Sequence, residues 1–373
     1  MEDAAYFLKT MRAQHSVPEA VPVITLGGSY GGQVAAWLRA AKPDVFAAGI
    51  SSSGPLNYVM ATPQCTKTSD QCHEGVSAAA RAGGASCPST IRAGLDEIER
   101  LGKSKAERAE LGERLKLCDG RDAIVNKASA MVLSGYLYDN SFPVYAQYDN
   151  SPPRYGLVES ACKVAAAAAA AALGDALAPL AALAAWDAIF LEYDKNSECY
   201  KWDASGAALV QDLSGEDVYY LGDNLYNYQS CANGVVSSQF LSRKADADDL
   251  CTSGRVTKAE LKNDCRAVYG KSVSVKPAPF MAKGPMLICS VGGVVFTNGE
   301  LDPWAGGSPR SLVDLAPDAK AAAGIEYVFY PGASQCSDLI WYDPLEPSGT
   351  PDLRKKALDS ASEYAEVWRA ARM

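Results

Sequence analysis

Ser29 stands in the segment Gly27-Gly28-Ser29-Tyr30-Gly31-Gly32, directly after a short run of β-branched residues. A serine with a glycine two positions before it and another two positions after it, between a strand and a helix, is typical of a nucleophile elbow. The pattern predicts Ser29 as the nucleophile of an acyl transfer, with Gly27 and Gly31 as the small elbow residues. It also predicts the backbone N–H of Tyr30 as an oxyanion donor. A tight strand–helix turn without chemistry is the alternative interpretation.

A triad acid is offered by residues 296–304, which read Phe-Thr-Asn-Gly-Glu-Leu-Asp-Pro-Trp. An acid at the carboxyl end of a strand, downstream of the nucleophile, fits the chain order serine, acid, histidine. We therefore expect Asp302 to orient an imidazole and to stabilise its charged form. Glu300 is the competing acid. An Asp in a turn that contains Gly and Pro is also a common turn former, so this motif alone leaves both roles open.

The histidine of the triad belongs in residues 331–339, which follow the last apolar run and read Pro-Gly-Ala-Ser-Gln-Cys-Ser-Asp-Leu. Gln335 occupies the position where the histidine is expected. The whole chain has two histidines, His15 and His73. His15 lies at the end of a predicted helix before Ser29, far from the carboxyl end of the strand. His73 lies in a long helical segment that could overhang the site, and it remains an open alternative as the base.

The elements that must position these residues follow from hydrophobic periodicity. Strand, helix and strand patterns in the first 51 residues predict a βαβ unit with a right-handed crossover, and hence a parallel sheet. Strand patterning disappears after residue 56 and returns near residue 285, so the intervening chain is expected to be a helical insert. The predicted strands are 21–26, 45–51, 285–296 and 325–330, and the predicted helices are 3–13, 33–42 and 352–372.

Composition narrows the possible partners. The 373 residues carry a net charge of −9 without a basic stripe, which disfavours binding to nucleic acid or to anionic lipid. The alanine-rich stretch 165–185 contains an Asp and a Pro, and it is interpreted as a helical insert rather than a membrane span.

Eleven cysteines without a CxxC pair indicate disulfides in an oxidising compartment rather than a metal site. The glycines around Ser29 fit neither a dinucleotide-binding fingerprint nor a P-loop. No cofactor and no metal are expected. The opening residues are acidic and lack the apolar region of a signal peptide, which conflicts with the cysteine content unless the chain is incomplete at its N-terminus.

Several stretches together resemble a family of serine carboxypeptidases that includes lysosomal Pro-Xaa carboxypeptidase, dipeptidyl peptidase II and thymus-specific serine protease. The resemblance extends from about residue 21 to the end of the chain, with the alanine-rich middle left unaligned. The segments that carry it are residues 27–37, 51–56, 228–231, 298–304 and 332–339.

The resemblance implies an α/β fold with an α/β-hydrolase core over residues 1–57 and 284–373 and an inserted helical cap lobe over residues 58–283. It implies a serine-type exopeptidase acting on proline-containing peptides, in lysosomes, vacuoles or outside the cell. The nucleophile maps to Ser29 and the acid to Asp302. The histidine maps to Gln335, in what resembles the family pattern Gly-x-x-His-Cys-x-Asp.

This chain departs from the family pattern in three ways. Gln335 replaces the histidine. The family has further strands, a signal peptide and an expected second oxyanion loop before the elbow, so we expect this chain to be N-terminally truncated. Finally, the family's Cys-x-Glu reads Cys231-Ala232-Asn233. The function expected by family is exopeptidase activity through Ser29. The alternative is a silent relative, or a gene fragment, that binds peptides or partners without hydrolysis.

Overall fold

The computed structural model describes most of the chain and divides it into two compact units. The first unit contains the described residues up to Gln71 and from Pro279 onward, and the second contains those that lie between. The residues described are 1–58, 71–124, 126, 130, 133, 134, 137, 146–149, 156–173, 175, 178–191, 199, 228–234, 250, 265, 266, 269, 279–311, 324–340 and 343–372.

The first unit is built on a parallel β-sheet with helices on both faces. Its four strands pair in chain order β1-β2-β3-β4, every pair parallel. The carboxyl ends of all four strands therefore lie along one edge of the sheet. The elements are α1 (Glu2–Gln14), β1 (Ile24–Gly28), α2 (Tyr30–Ala41), β2 (Ala48–Ser52), a helix over Pro279–Val291, β3 (Val294–Gly299), β4 (Ile325–Tyr330) and a long final helix over Thr350–Ala370.

Side-chain alternation along the strands explains the two covered faces. On one face, Ile50 of β2 and Val328 of β4 share a buried cluster with Ala357 and Ala361 of the final helix. On the other face, the Thr25 hydroxyl donates to the carbonyl oxygen of Ala35 in α2. Because both faces are packed, β2 and β3 are buried at every position, as is usual for parallel strands.

The second unit is helical within the described residues and has its own core. It comprises α3 (Gln71–Gly83), α4 (Cys87–Leu101), α5 (Lys105–Arg114), α6 (Leu157–Ala171) and α7 (Ala178–Leu191). Leu95 and Ile98 of α4 pack in one buried cluster with Leu180 and Leu183 of α7.

The last two helices of the chain belong to the first unit. They are numbered α8 (Pro279–Val291) and α9 (Thr350–Ala370).

Disulfides were expected from the cysteine content, and the structure confirms them. Cys87 is bonded to Cys162, Cys118 to Cys199 and Cys231 to Cys265. Of the described cysteines, Cys289 and Cys336 are free thiols. Within the described ranges, no helix combines the length and the apolar character that crossing a membrane requires.

The predicted mixed α/β class with a parallel sheet is confirmed. One element differs from expectation: the strand predicted over residues 285–296 is the end of α8, which runs to Val291, followed by β3 from Val294. A continuous apolar run fits a buried helix and a buried strand equally well, so periodicity alone could not separate them. The predicted division at residues 57 and 284, and the role of the insert as a cap, remain predictions.

Candidate active site

Ser29 forms the junction between β1 and α2, in a backbone conformation that non-glycine residues seldom adopt. Its φ is 55° and its ψ is −124°, a strained combination of the kind found at functional sites. The turn is held because the Ser29 N–H donates to the Ser52 carbonyl at 2.9 Å, and the Ser29 carbonyl accepts from the Gly32 N–H at 2.9 Å. Ser29 is therefore presented at the carboxyl end of β1, before the first turn of α2.

The two elbow glycines differ in what surrounds them. A Cβ atom at Gly27 would overlap the carbonyl group of Gly31, whereas one at Gly31 would meet no atom within 4 Å. The expected need for a small residue therefore holds sterically at Gly27 and not at Gly31, because Gly31 faces open space in the first turn of α2. Tyr30 begins α2, where backbone N–H groups point out of the helix end, and its part as oxyanion donor remains a prediction.

Gln335 lies on the loop that follows β4, beside Ser29. Its side chain is 8% exposed, and its amide nitrogen Nε2 lies 3.4 Å from Ser29 Oγ, to which it donates. The amide nitrogen is therefore a hydrogen-bond donor to Ser29 Oγ, whereas a triad histidine at this position would accept the serine proton as a base.

Asp302 follows β3 and is completely buried. Its Oδ1 accepts from the Trp304 N–H at 2.9 Å, while Oδ2 makes no hydrogen bond of good geometry among the described residues. Burial raises the pKa of Asp302 to about 7, and hydrogen bonding by the Trp304 N–H offsets this only in part. A buried carboxylate with one oxygen left unpaired is costly, and the triad arrangement would supply a donor there.

Glu300, the competing acid, has a different environment. It is exposed, and its Oε2 accepts from the Gly332 N–H at 2.9 Å. The neighbouring backbone reinforces this tie, because the Leu301 N–H donates to the Ala333 carbonyl at 2.9 Å. Glu300 thus joins the turn after β3 to the loop after β4. This contact supports Asp302 over Glu300 as the acid that faces the site.

Three hydroxyl groups at the strand ends, which motif analysis did not assign, complete the site. Ser52 and Thr297 donate to the two carboxylate oxygens of Asp338 at 2.5 Å and 2.6 Å, and Ser53 Oγ accepts from the Cys336 N–H at 3.0 Å. The sequence feature that could have identified two of them is the run of serines at residues 51–53, at the end of a predicted strand. We call Ser52, Ser53 and Thr297 the strand-end hydroxyls.

Two ionisable groups of this loop, Cys336 and Asp338, are shifted toward their neutral forms. Burial, with the nearby Asp338 charge as a second cause, raises the pKa of the Cys336 thiol to about 12. Burial also raises the pKa of Asp338, although its two hydroxyl donors act against that shift. Cys336 is therefore a protonated thiol at neutral pH and a poor nucleophile.

The two histidines lie on other elements. His15 is the exposed C-cap residue of α1, and His73 lies in α3 of the second unit.

Comparison with known proteins gives one family and several distant relatives. A family model described as serine carboxypeptidase S28 matches residues 1–357. The chain is 25% identical over 310 residues to a lysosomal Pro-X carboxypeptidase of Bos taurus, covering 76% of this chain and 53% of the relative. It is 25% identical over 368 residues to a thymus-specific serine protease of Mus musculus, covering 95% of this chain and 65% of the relative. The chain thus spans between about half and two thirds of these relatives' lengths.

Proposed function

The chain belongs to the serine carboxypeptidase S28 family, and from that premise we propose that its site is a serine-peptidase site whose hydrolysis is suppressed by Gln335. The observation that carries the proposal is the 3.4 Å approach of the Gln335 amide to Ser29 Oγ. In this assignment Ser29 is the nucleophile, Tyr30 supplies an oxyanion N–H and Asp302 is the triad acid.

The chemistry of an amide explains the suppression. In acyl transfer the serine oxygen attacks the substrate carbonyl while a base takes its proton and later delivers that proton to the leaving amine. A glutamine amide is too weak a base to take the proton from the serine hydroxyl at neutral pH. The attack of Ser29 on the substrate therefore lacks a general base. Removing the histidine of a serine-protease triad lowers turnover by about 10⁶-fold. The rate enhancement that remains comes from the oxyanion hole and from substrate binding.

Substrate binding does not depend on the base. We infer that the site accepts peptides and prefers proline next to the reacting carbonyl, because the relatives include enzymes named Pro-X carboxypeptidase. We further propose that the insert over residues 58–283 acts as a cap that selects the substrate. A lysosomal or secreted location fits both the relatives' names and the disulfides.

A binding experiment with matched peptides tests this function. One peptide carries proline as the last residue but one, a second carries proline at position two, and each has a partner with alanine in place of proline. We expect at least one proline peptide to bind the full chain more tightly than its partner, as measured by calorimetry. Mass spectrometry of the same samples should show intact peptide, and Ser29→Ala should retain the binding.

Two results would contradict the proposal. Rapid cleavage that disappears in Ser29→Ala would mean that another base serves the site, and His73→Ala would then identify or exclude the remaining candidate. Equal affinity for the proline peptides and their alanine partners would contradict the proposed preference for proline.

A further inference from the structure

Ser53 connects the end of β2 to the loop that carries the base position, because its Oγ accepts from the Cys336 N–H at 3.0 Å. It follows β2, is completely buried and has a φ of 46°, in the left-handed region that disfavours a residue with a side chain. Its N–H donates to the Thr297 carbonyl of β3 at 2.7 Å, which fixes its backbone to the strand that leads to Asp302. A strained, buried serine in this place requires support from its surroundings.

The Ser53 hydroxyl is bonded to the loop that carries Gln335. In this 3.0 Å bond the Cys336 backbone N–H is the donor and Ser53 Oγ is the acceptor. One hydroxyl thus ties the end of β2 to the residue next to Gln335.

The loop that carries Gln335 has a second attachment that does not involve Ser53. The Asp338 carboxylate accepts from Ser52 and Thr297, and Arg354 donates to the carbonyl oxygens of Ser337 and Asp338 at 3.2 Å and 2.9 Å. These contacts hold the far end of the loop to the sheet and to α9. Loss of the Ser53 hydroxyl should therefore leave the loop folded and affect only the part near residues 335 and 336.

We propose that Ser53 is a positioning residue, whose hydroxyl holds the loop at residues 335 and 336 so that the side chain at position 335 lies against Ser29. The inference deepens the proposed function, on which its catalytic meaning rests. The positioning role of Ser53 concerns only where the side chain of residue 335 lies. It can therefore be tested without measuring catalytic activity.

The test uses the imidazole introduced by Gln335→His as a reporter in the full chain. Its pKa is measured by NMR titration, and only His15 and His73 contribute other imidazole signals. Asp302 is the acid that would stabilise the imidazolium; Asp338 is engaged by two hydroxyls and Cys336 remains a neutral thiol over this range. An opposite charge within contact shifts a pKa by roughly 1–3 units.

We expect Ser53→Gly to lower the pKa of the introduced imidazole by about one unit or more, because the side chain at position 335 is no longer held in place. Ser53→Gly removes the hydroxyl and relieves the left-handed strain, so the variant should fold. Ser53→Ala removes the same hydroxyl without relieving the strain and should give the same pKa at lower stability. The matched control is Ser16→Gly, because Ser16 is an exposed serine with a φ of 53°.

An imidazole pKa that is the same with and without the Ser53 hydroxyl would overturn the positioning role. If the pKa falls as expected while Gln335→His gives no reactivity at Ser29, the positioning role stands and the proposed catalytic function fails. The two ideas are therefore separated by one set of variants.

Discussion

At the scale of single residues, the burial of Asp302 should make the stability of the folded chain depend on pH. Its pKa is raised to about 7 in the folded protein by complete burial, whereas an unfolded aspartate titrates near 4. Between these values the folded state holds more protons than the unfolded state. The free energy of unfolding must therefore decrease as the pH rises through this window.

Asp302→Asn should remove this pH dependence, because an amide of the same shape cannot ionise. We expect the loss of stability between pH 5 and pH 8 to be smaller in the variant by about 2 kcal/mol, measured by urea unfolding at both pH values. Asp338 contributes a dependence of the same sign, so some slope should remain. Asp359→Asn, at an exposed residue paired with Lys355, is the matched control and should leave the slope unchanged. Equal slopes for Asp302→Asn and the unmodified chain would contradict the assigned burial.

At the scale of elements, the elbow between β1 and α2 depends on the closeness of two backbone segments. A Cβ at Gly27 would overlap the Gly31 carbonyl, and the obstacle is backbone that cannot rotate away. Gly31 itself has open space around its Cα. Substitution by alanine is therefore expected to have opposite effects on stability at the two glycines of this motif.

Gly27→Ala should distort the elbow and destabilise the chain by several kcal/mol, of order 3, as overpacking against a fixed backbone does. Gly31→Ala should be neutral or stabilising by up to about 1 kcal/mol, since alanine is the better helix former. Thermal unfolding of the two variants side by side measures this difference. Equal effects of the two substitutions would be inconsistent with the elbow geometry described.

The elements of the βαβ unit and the chain order of the site could be predicted from sequence, because each rests on a local pattern. The strand before Ser29 was predicted over 21–26 and is formed by Ile24–Gly28. The helix after it was predicted over 33–42 and is formed by Tyr30–Ala41, so the type and order of these elements were correct and their bounds were shifted by up to three residues. The strand predicted over 285–296 was wrong, since α8 occupies its first part. An apolar run of that length lacks the alternation that separates strand from helix.

The strand-end hydroxyls could not be assigned from sequence because their role depends on register. Ser52 pairs with Thr297 across β2 and β3, which places both hydroxyls on one face of the sheet, in reach of Asp338. A shift by one residue would separate them. No local pattern specifies that register, so the network around Asp338 appears only in the folded structure.

At the scale of the whole molecule, the disulfides tie distant parts of the second unit together. Cys87 and Cys162 are 75 residues apart in sequence and join α4 to α6. A cross-link over a loop of that length restricts the unfolded chain and is worth about 4 kcal/mol in the chain-entropy view.

Replacing both Cys87 and Cys162 by Ser should therefore lower the free energy of unfolding of the second unit by roughly 4 kcal/mol. Urea unfolding under non-reducing conditions measures it. Cys289→Ala, at a buried free thiol of the first unit, is the control and should leave the second unit unaffected. A double variant as stable as the unmodified chain would mean that this bond does not stabilise the unit.

The central claim, that Gln335 occupies the base position of a serine-peptidase site, is tested most directly by the reactivity of Ser29 toward a fluorophosphonate. The second-order rate constant of labelling is compared among the unmodified chain, Gln335→His, Gln335→Asn and Ser29→Ala. General-base assistance is worth about 10²–10⁴-fold, so we predict that Gln335→His labels at least about 10²-fold faster than the unmodified chain. Gln335→Asn, which keeps an amide, should show no increase, and Ser29→Ala should not be labelled. An unmodified chain that already reacts as fast as Gln335→His would contradict the account.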